Sequence, residues 1–478
     1  MEAYMKENYT KMNMADSEYL KLVKPYQKDA LAALRDFISI DSVYDESTKS
    51  KSTPFGKGVD KALDYIAKVG TKLGFKADRC DNYVTELTYG EGEKTLDIYA
   101  HADVVPVNLK NWTKDPFSLT IEDDNLYGRG TCDDKGPGIA CLFATKALLD
   151  KGMLGGYKLR FLFGGNEENG SLCLEHYFKT MKKPYPTLGF SPDADYPLIY
   201  AEKSIYSYAA SYPLTLKGVS PFTAGDALNI VIGDANCGIA NPRLDVEGAL
   251  NFYLRSHPLI KASYHDEILT FKGKPSHGSL PWMGVNAALY LLDFLGDLYS
   301  NQTLKSIFKF YLDGKGIAFN GNFTNKYFDC SSYNVGKVVY DGKKLTIYVN
   351  VRFPSDIDIK TVIDNAAKTT KAEIKSLGGS QGFVSDPNSD FVKILLNAYR
   401  KETNDEISMP LAIGGGTYAR DSKNSIAFGA AFSKRDYRMH GDDEYFPLSD
   451  FYDNMQIYAH AIHDLSIYLR EGKVDFSK

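Results

Sequence analysis

Five side chains of the kinds that bind metal ions occur in order along the chain, each in a short polar motif. They are His101 in HADVVP, Asp133 in GRGTCDDKG, Glu168 in GGNEENG, Asp193 in SPDADYP and His440 in YRMHGDDE. Two imidazoles and three carboxylates form a ligand set suited to divalent ions such as zinc, and one carboxylate can bridge a pair of ions. Two divalent ions bring four positive charges, of which three carboxylates and a bridging hydroxide would neutralise all. The set predicts the chemistry of a two-metal hydrolase.

Each motif also has an ordinary structural interpretation when it is taken alone. His101 and Asp103 are a strand-end pair that could simply tie a loop, and Asp133 with its neighbour could cap a helix. The adjacent glutamates of GGNEENG could be solvated, and the aspartate of SPDADYP could serve a turn. The histidine of YRMHGDDE could be an ordinary loop residue. The metal interpretation depends on all five occurring in one order, at the ends of predicted strands.

The neighbours of the candidate ligands suggest supporting roles. A histidine that binds metal through one nitrogen usually donates its other N–H to a carboxylate or carbonyl, and Asp103 is the candidate partner of His101. Glu167 and Glu168 are adjacent, so their side chains point in different directions. One of them can bind metal while the other faces a metal-bound water and acts as a general base.

The segments that carry these motifs predict an α/β sheet. The short apolar runs TLDIYA, LRFLFGG and LGFSPD each end in a loop rich in Gly, Asp or Glu. The stretch PGIACLFATKALLDKG between the first two runs has helical periodicity and ends in glycine. Reactive loops of open α/β sheets gather beyond the carboxyl ends of the strands, where the candidate ligands lie.

The later part of the chain changes character. Alternating strand-like segments such as ALNIVIGDA and KLTIYVNVRFP, with helical stretches between them, follow residue 203, and α/β character resumes near residue 385. We therefore predict a catalytic domain whose mixed sheet is flanked by helices and which is split into residues 17–203 and 385–478. An inserted α+β lid domain is predicted over residues 204–384.

The bulk properties exclude several classes of partner. A net charge of -5 gives no basic footprint for nucleic acid or an anionic membrane, and no apolar run approaches bilayer length. The N-terminal segment lacks the apolar core of a secretory signal. The six cysteines form no C-x-x-C pair, which is typical of reduced thiols in the cytoplasm. A cytoplasmic enzyme with a small substrate is expected.

Together the motifs resemble those of the dinuclear zinc metallopeptidase family that includes carnosinases, PepV-type dipeptidases, aminoacylases and succinyl-diaminopimelate desuccinylase. The resemblance extends from about residue 20 to the C-terminus. It includes HADVVP, WTKDPF, LYGRGTCDDKGP, NEENG, SPDADYP, GKPSHGS, GGGTYAR and the region of the last histidine. The PepV-type dipeptidases are the members that this chain resembles most.

The resemblance assigns a role to each candidate residue. It implies that one ion takes His101, Asp133 and Asp193 and the other takes Asp133, Glu168 and His440, with Glu167 as the base and Asp103 orienting His101. Zinc is the expected metal, with manganese and cobalt as alternatives. His277 in KPSHGS is similar to the histidine that stabilises the oxyanion. The resemblance also implies a site for the substrate carboxylate, formed by Asn229, Arg352, Gly415, Gly416 and Thr417.

Two features select a function within the family. Members that act on a free amino terminus tend to have Asp at the position of Asp193, whereas deacylases and carboxypeptidases tend to have Glu. The long lid resembles that of members that supply the His277 equivalent from their own chain, so a monomer is expected. The resemblance therefore implies a dipeptidase that uses a metal-bridging hydroxide on short peptides with a free N-terminus.

Two other functions remain open at this stage. The alternative on the same scaffold is an N-acyl amino-acid deacylase, which would hydrolyse blocked substrates and ignore free dipeptides. A binding protein that has kept the fold is disfavoured, because Glu167 and all five candidate ligands are present. The first sixteen residues have no counterpart in the family and are expected to form a disordered extension.

Overall fold

The structure is a computed structural model that describes residues 12–432 and 435–472. All six cysteines are buried free thiols. None of the helices in the described ranges is both long enough and apolar enough to span a bilayer. The helices, in chain order, are α1 (Glu18–Val23), α2 (Gln27–Ile38), α3 (Lys57–Lys72), α4 (Lys135–Asp150), α5 (Leu172–Glu175), α6 (Val246–Ser256), α7 (Ala287–Leu298), α8 (Gln302–Tyr311), α9 (Ile359–Thr370), α10 (Asp390–Thr403) and α11 (Leu448–Glu471).

The strands are mostly short, and the longest belong to the middle of the chain. In order they are β1 (Lys76–Asp78), β2 (Val84–Tyr89), β3 (Thr95–His101), β4 (Thr120–Glu122), β5 (Asn125–Tyr127), β6 (Lys158–Gly164), β7 (Leu188–Ser191), β8 (Ala194–Asp195), β9 (Ile199–Glu202), β10 (Ser204–Pro213), β11 (Phe222–Ala224), β12 (Asp234–Gly238), β13 (Lys261–His265), β14 (Ile268–Lys272), β15 (Ser332–Tyr340), β16 (Lys344–Phe353), β17 (Glu373–Ser380), β18 (Phe383–Val384), β19 (Leu411–Ile413), β20 (Ser425–Ala427), β21 (Ala430–Ala431) and β22 (Tyr445–Pro447).

The chain divides into two compact units. The first unit comprises residues 1–201, 384–411 and 417–478, and the second comprises residues 202–383 and 412–416. The chain thus enters the second unit at residue 202 and re-enters the first unit at residue 384. Residues 412–416, in the glycine-rich segment, belong to the second unit. The predicted boundaries of independently folding domains remain a prediction.

A mixed sheet forms the centre of the first unit. Seven of its strands run in the order β1-β2-β6-β3-β7-β20-β9, in which β6, β3, β7 and β20 are parallel neighbours. Every residue of β3 is buried, as expected for a strand covered on both faces. Helix α4 packs against β3 and against α2 and α11. The predicted mixed α/β fold, with a mixed sheet flanked by helices, is confirmed.

The second unit is built on antiparallel strands. A five-stranded sheet has the order β11-β15-β16-β10-β17, and a three-stranded sheet has the order β12-β14-β13. Helix α7 packs on β12 and β14 and also contacts α8. Burial of Leu291 and Leu295 of α7, together with Val349 and Val351 of β16, gives this unit a core of its own.

The structure describes the N-terminal segment from residue 12 onward. Residues 1–11 lie outside the described residues, so the predicted disordered extension is described only from residue 12 onward. The backbone N–H of Ala15 donates to the carbonyl of Glu402 at 2.7 Å, and Gln456 donates to the carbonyl of Ala15 at 2.8 Å. The expectation of disorder is therefore wrong for the residues just before α1, because they hydrogen-bond to α10 and α11.

Candidate metal centre

Three of the candidate ligands lie at one edge of the parallel part of the sheet. His101 is the last residue of β3, Glu168 follows β6, and Asp193 follows β7. Strands β6 and β7 pair in parallel with β3 on its two sides, so the carboxyl ends of all three strands meet at this edge. Short apolar strands followed at once by polar loops therefore bring these side chains together.

Asp133 enters from the loop that precedes α4. A side chain at Gly136 would lie 2.0 Å from the carbonyl oxygen of Thr131, so only glycine allows this tight approach of the loop to the helix. Asp134 is the N-cap residue of α4, but its side chain makes no capping hydrogen bond and accepts instead from the backbone N–H of His101 at 3.1 Å. The alternative interpretation, in which these aspartates cap the helix, is therefore not supported by the side-chain contacts of Asp134.

Asp133 lies between the two histidines. Its Oδ1 is 2.8 Å from Nε2 of His101, and its Oδ2 is 2.7 Å from Nε2 of His440. Nε2 of His440 is also 3.1 Å from Oε1 of Glu168, and Nε2 of His101 is 3.8 Å from Oδ2 of Asp193. Each oxygen of one carboxylate thus faces a different imidazole, which is the arrangement expected of a bridging ligand.

The ligand atoms form two groups that share Asp133. His101, Asp133 and Asp193 offer three atoms within 4.8 Å of one another, and Asp133, Glu168 and His440 do the same. Imidazole nitrogens and carboxylate oxygens are suitable donors for zinc, manganese or cobalt. In both their chemistry and their spacing, the residues fit a pair of divalent ions.

The pKa shifts of the clustered side chains reflect a high local density of carboxylates. Burial opposes ionisation of Asp133, but hydrogen bonds with His101 and His440 outweigh it and hold the pKa of this carboxyl below its ordinary value. Burial also opposes protonation of His440, yet Asp133 and Glu168 raise the pKa of its imidazole to about 11. Burial and nearby carboxylates raise the pKa of Asp193 well above its ordinary value. Divalent ions would relieve this concentration of carboxylates.

Asp103 supports the site through two different groups. Nδ1 of His101 lies 2.8 Å from the main-chain carbonyl of Asp103, whereas the Asp103 carboxylate is 3.7 Å away. The carboxylate instead accepts the backbone N–H groups of Glu167 at 3.0 Å and Glu168 at 3.2 Å. His101 is therefore oriented by a carbonyl, and the side chain of Asp103 fixes the loop that carries the two glutamates.

Glu167 belongs to neither group of potential metal ligands. Burial raises the pKa of its carboxyl well above the ordinary value, and Glu168 and Asp133 add to the effect, although His101 opposes it. A carboxyl beside the ligands that is not itself a ligand has the position expected of a general base.

Two of the predicted substrate contacts are adjacent in the second unit. Ile230 and His277 form an isolated antiparallel bridge, and the backbone N–H of Gly278 donates to the carbonyl of Asn229 at 2.6 Å. The imidazole of His277 is exposed, and its Nδ1 lies 2.6 Å from Oγ of Ser279. Asn229 and His277 thus lie side by side, although 48 positions separate them in the sequence numbering.

Arg352 is the buried cation of the predicted carboxylate site. Only 4% of the residue is exposed, and its guanidinium donates to the carbonyl of Gly414 at 2.5 Å and to Asn350 at 3.2 Å. Gly415 and Gly416 follow directly in the second unit. Thr417, the first residue back in the first unit, uses its hydroxyl to accept from the backbone N–H of Ala419 at 3.1 Å.

Sequence reasoning missed two residues beside the ligands. Glu444 is fully buried and accepts backbone N–H groups from the loop that carries Asp133, and it forms an ion pair with Arg129 at 2.6 Å. Both residues lie within quoted motifs, YRMHGDDE and GRGTCDDKG. The available signal was that Arg129 lies close in sequence to Asp133 and that Glu444, of opposite charge, lies close to His440. Sequence spacing alone could not show that these two side chains pair.

Comparison with known proteins then identifies the family. The sequence profile of peptidase family M20/M25/M40 matches residues 98–464, which is most of the chain. The chain belongs to this family. The predicted resemblance is confirmed, and this M20 protein is a metallopeptidase.

Relatives of this M20 peptidase match it over nearly its whole length. A Staphylococcus haemolyticus protein named "Putative dipeptidase" is 34% identical over 466 residues, which cover 93% of this chain and 98% of the relative. The di-peptidase Dug1p of Saccharomyces cerevisiae has a TM-score of 0.59 and 16% identity, covering 95% of this chain and 98% of that chain. The M20 metallo-carboxypeptidase Sso-CP2 of Sulfolobus solfataricus has a TM-score of 0.57 and 21% identity, covering 92% and 99%. These two structures show that the fold is shared.

Proposed function

We propose that the chain is a cytoplasmic zinc dipeptidase that hydrolyses short peptides with a free N-terminus. It is a metal-dependent dipeptidase of the M20 family, and manganese and cobalt are the alternative metals. The observation that carries the proposal is the position of Asp133, whose two carboxylate oxygens lie 2.8 Å and 2.7 Å from the imidazoles of His101 and His440. This geometry supports two ions held side by side.

The proposal assigns proton transfer to Glu167 and a supporting role to Asp103. Bound ions supply Lewis-acid polarisation and lower the pKa of water. Glu167 accepts a proton from the attacking water, whose oxygen bonds to the peptide carbonyl carbon. When the C–N bond breaks, Glu167 returns that proton to the leaving amine, so the carboxylate is regenerated. Asp103 supports this step by holding the backbone of Glu167.

Six residues outside the ligand groups are assigned to the substrate. His277 donates a hydrogen bond to the developing oxyanion, and its imidazole is exposed at the surface of the second unit. Arg352 and Asn229, with Gly415, Gly416 and Thr417, bind the carboxylate end of the peptide. A guanidinium suits this task because its planar donors match a carboxylate. Recognition of both reacting carbonyl and free carboxylate favours short peptides.

Two observations favour a dipeptidase over the N-acyl amino-acid deacylase. The third acidic ligand is Asp193, the residue type associated with a free amino terminus in the resemblance described above. The relatives that match most of the chain at 32–34% identity are named as dipeptidases. We further propose that the enzyme acts as a monomer, because its long lid resembles that of family members that supply the equivalent of His277 from their own chain.

A substrate panel tests the proposal. Purified protein is stripped with a chelator, and aliquots are restored with zinc, manganese or cobalt before incubation with free dipeptides, N-acetylated dipeptides and tripeptides. Chromatography of the released amino acids measures the rate. We expect no hydrolysis after stripping, recovery with metal, and a preference for free dipeptides.

The panel separates the alternatives. Rapid release of acetate or another acyl group from blocked amino acids, with no cleavage of free dipeptides, would establish the deacylase instead. Activity that survives complete removal of metal would contradict the role of the ions. Gel filtration of the active sample, with light scattering, checks the expected monomer.

A further inference from the structure

The loops that carry Asp133 and His440 are joined by one buried carboxylate. Glu444 is 0% exposed, and its Oε1 accepts the backbone N–H groups of Gly130 at 3.1 Å and Cys132 at 3.0 Å. The N–H of Asp133 lies 3.4 Å from the same oxygen. Glu444 follows His440 by four positions in the sequence. A single side chain on the second loop therefore accepts from three backbone N–H groups within residues 130–133 of the first loop.

Arg129 completes this connection from the opposite side. Its Nη1 donates to Oε2 of Glu444 at 2.6 Å, and its Nη2 donates to the carbonyl of Gly441 at 3.0 Å. The guanidinium also lies over the ring of Trp112, 5.2 Å from its centroid. Arg129 is only 2% exposed. Arg129 belongs to the Asp133 loop and donates to the His440 loop, while Glu444 of the His440 loop accepts from the Asp133 loop. Each loop therefore contributes one side chain to the connection.

Neighbouring contacts fix where this pair lies. Strand β22 begins immediately after Glu444 and pairs with β5, and the N–H of Gly128 donates to the carbonyl of Glu444 at 3.1 Å. Asp443 accepts from both the N–H and the hydroxyl of Thr113, at 2.7 Å and 2.9 Å. The motif WTKDPF, which has no part in the proposed chemistry, is thereby attached to the His440 loop through Thr113 and to Arg129 through Trp112.

We propose that Glu444 and Arg129 are positioning residues that fix Asp133 and His440 at the separation required to hold two ions. Neither residue is placed among the metal ligands. Because Asp133 is common to both groups of ligands, a small displacement of its loop changes both metal positions at once. Buried charge-assisted hydrogen bonds are strong enough to hold such loops in register.

This inference depends on the metal centre described above but not on the identity of the substrate. Outer partners of metal ligands typically contribute a factor of about 10–100 in metal affinity. Replacement of Glu444 should therefore weaken zinc binding at both positions, whereas a purely structural residue would lower unfolding stability without a selective effect on zinc.

The test measures zinc affinity directly. Wild-type protein and the Glu444→Gln variant are stripped of metal and titrated with zinc in competition with a chromogenic chelator. Urea unfolding of the metal-free proteins is measured in parallel. We expect Glu444→Gln to weaken both zinc sites by about 10–100-fold. Arg129→Lys keeps the charge but loses the two-pronged contact, so we expect a smaller weakening at both sites.

The Arg160–Asp97 pair provides a matched control. It is also a buried Arg–carboxylate pair in the first unit, with Nη2 of Arg160 2.7 Å from Oδ2 of Asp97 and Nε 2.7 Å from Oδ1. We expect Asp97→Asn to lower the urea midpoint of the metal-free protein but to leave zinc affinity unchanged. Comparing zinc affinity in Asp97→Asn and Glu444→Gln separates the general effect of losing a buried ion pair from the specific effect of losing the Arg129–Glu444 pair.

Each outcome decides the inference. A folded Glu444→Gln protein that binds two zinc ions as tightly as wild type, or that loses no more affinity than Asp97→Asn, would overturn it. If Glu444→Gln does not fold, Arg129→Lys decides the question by the same titration. A wild-type protein that binds zinc tightly but cleaves no dipeptide would defeat the proposed function while leaving the positioning role intact.

Discussion

The two units assemble their candidate functional residues by different means. In the first unit, His101, Glu168 and Asp193 follow parallel strands whose carboxyl ends meet at one edge, so the fold itself brings them together. In the second unit, His277 and Arg352 belong to antiparallel structure, and neighbouring chain segments meet through local bridges and loop contacts. The parallel sheet thus determines where these three candidate ligands converge, whereas in the antiparallel unit individual loops determine the position of a candidate substrate residue such as His277.

Burial does not follow the division into units, because the side chain of His440 in the first unit is 45% exposed and Arg352 in the second unit is only 4% exposed. His101 is fully buried and Asp133 is 4% exposed, but the imidazole of His277 is exposed. Buried ligands that share hydrogen bonds form a preorganised site, while an exposed histidine is available to approach and leave a substrate. From the proposed roles of the residues, we expect substitutions in the first unit to affect metal binding or proton transfer, and substitutions in the second unit to affect the substrate.

The largest expected effect comes from the proposed general base. Glu167→Gln should lower kcat by about 100- to 10,000-fold, because an amide cannot accept the proton of the attacking water. Metal analysis should still find two ions per chain, since Glu167 is in neither ligand group. The Glu175→Gln variant is the control, because the side chain of Glu175 is exposed and pairs with the Lys179 ammonium at 3.0 Å. Loss of an ion from Glu167→Gln would indicate that the roles of Glu167 and Glu168 are exchanged.

The next largest effect is expected in the second unit. His277→Ala should lower kcat by about 100- to 1,000-fold if its imidazole stabilises the oxyanion. Metal content and unfolding stability should not change, because the side chain is exposed and belongs to the unit without the ligand groups. His265→Ala, at another exposed histidine of this unit, is the control and should be fully active. A normal rate for His277→Ala would remove this residue from the active site.

Much of the first unit could be predicted because local and long-range signals agree. The runs TLDIYA, LRFLFGG and LGFSPD become β3, β6 and β7, and PGIACLFATKALLDKG lies within and just beyond α4. Parallel pairing of successive strands then places the ends of these segments together without further information. This pairing explains why His101, Glu168 and Asp193 could be grouped from the sequence, whereas Asp133 and His440 lie in loops outside these strands; the binding of metal by all five remains a prediction.

The remaining features could not be predicted because they depend on pairings across long sequence separations. Glu444 and Arg129 are 315 positions apart, and nothing in either motif shows that their side chains meet. The choice of the main-chain carbonyl of Asp103 over its carboxylate as partner of His101 depends on the local backbone path. Residues 13–17 are held by hydrogen bonds with Glu402, Asn404 and Gln456, which are distant in sequence.

A moderate effect on substrate affinity is expected at Arg352. Arg352→Lys keeps the charge but loses the planar fork, so KM for a free dipeptide should rise by about 10-fold or more, as expected when a hydrogen bond to a charged group is lost. The matched substrate is the same dipeptide with a C-terminal amide, whose KM should be high for both proteins and insensitive to the substitution. Equal increases in KM for the acid and the amide would show that Arg352 does not bind the carboxylate.

The smallest effect concerns stability in a part of the first unit that carries none of the candidate ligands. His460 lies 2.6 Å from Oε1 of Glu402 and 3.4 Å from Oδ2 of Asp464, and its ring stacks on Tyr19 at 4.3 Å. Burial opposes protonation of His460, but hydrogen bonds with Asp464 and Glu402 outweigh it and hold the pKa of its imidazole above the ordinary value. This contact joins α11 to α10 and α1.

Because the pKa of His460 is higher in the folded protein, the folded state binds the proton more tightly than the unfolded chain does. The stabilisation is therefore complete below the ordinary histidine pKa of about 6.5 and is lost as pH rises through the raised value. His460→Gln should reduce the free energy of unfolding by about 1.5–3 kcal/mol at pH 6, and by less at pH 9. Urea unfolding of the two proteins at both values measures the difference.

His463 provides a control of opposite sign on the same helix. Its Nδ1 lies 2.8 Å from the hydroxyl of Tyr19, and burial lowers the pKa of its imidazole. Because this pKa is lowered, the unfolded chain binds the proton of His463 more tightly than the folded protein does, which destabilises the folded protein at acidic pH. His463→Gln should therefore lessen the fall in stability at acidic pH. Turnover by both variants at neutral pH should match wild type, because neither histidine is in a ligand group. If both variants shift stability in the same pH direction, the assigned partners of His460 are wrong.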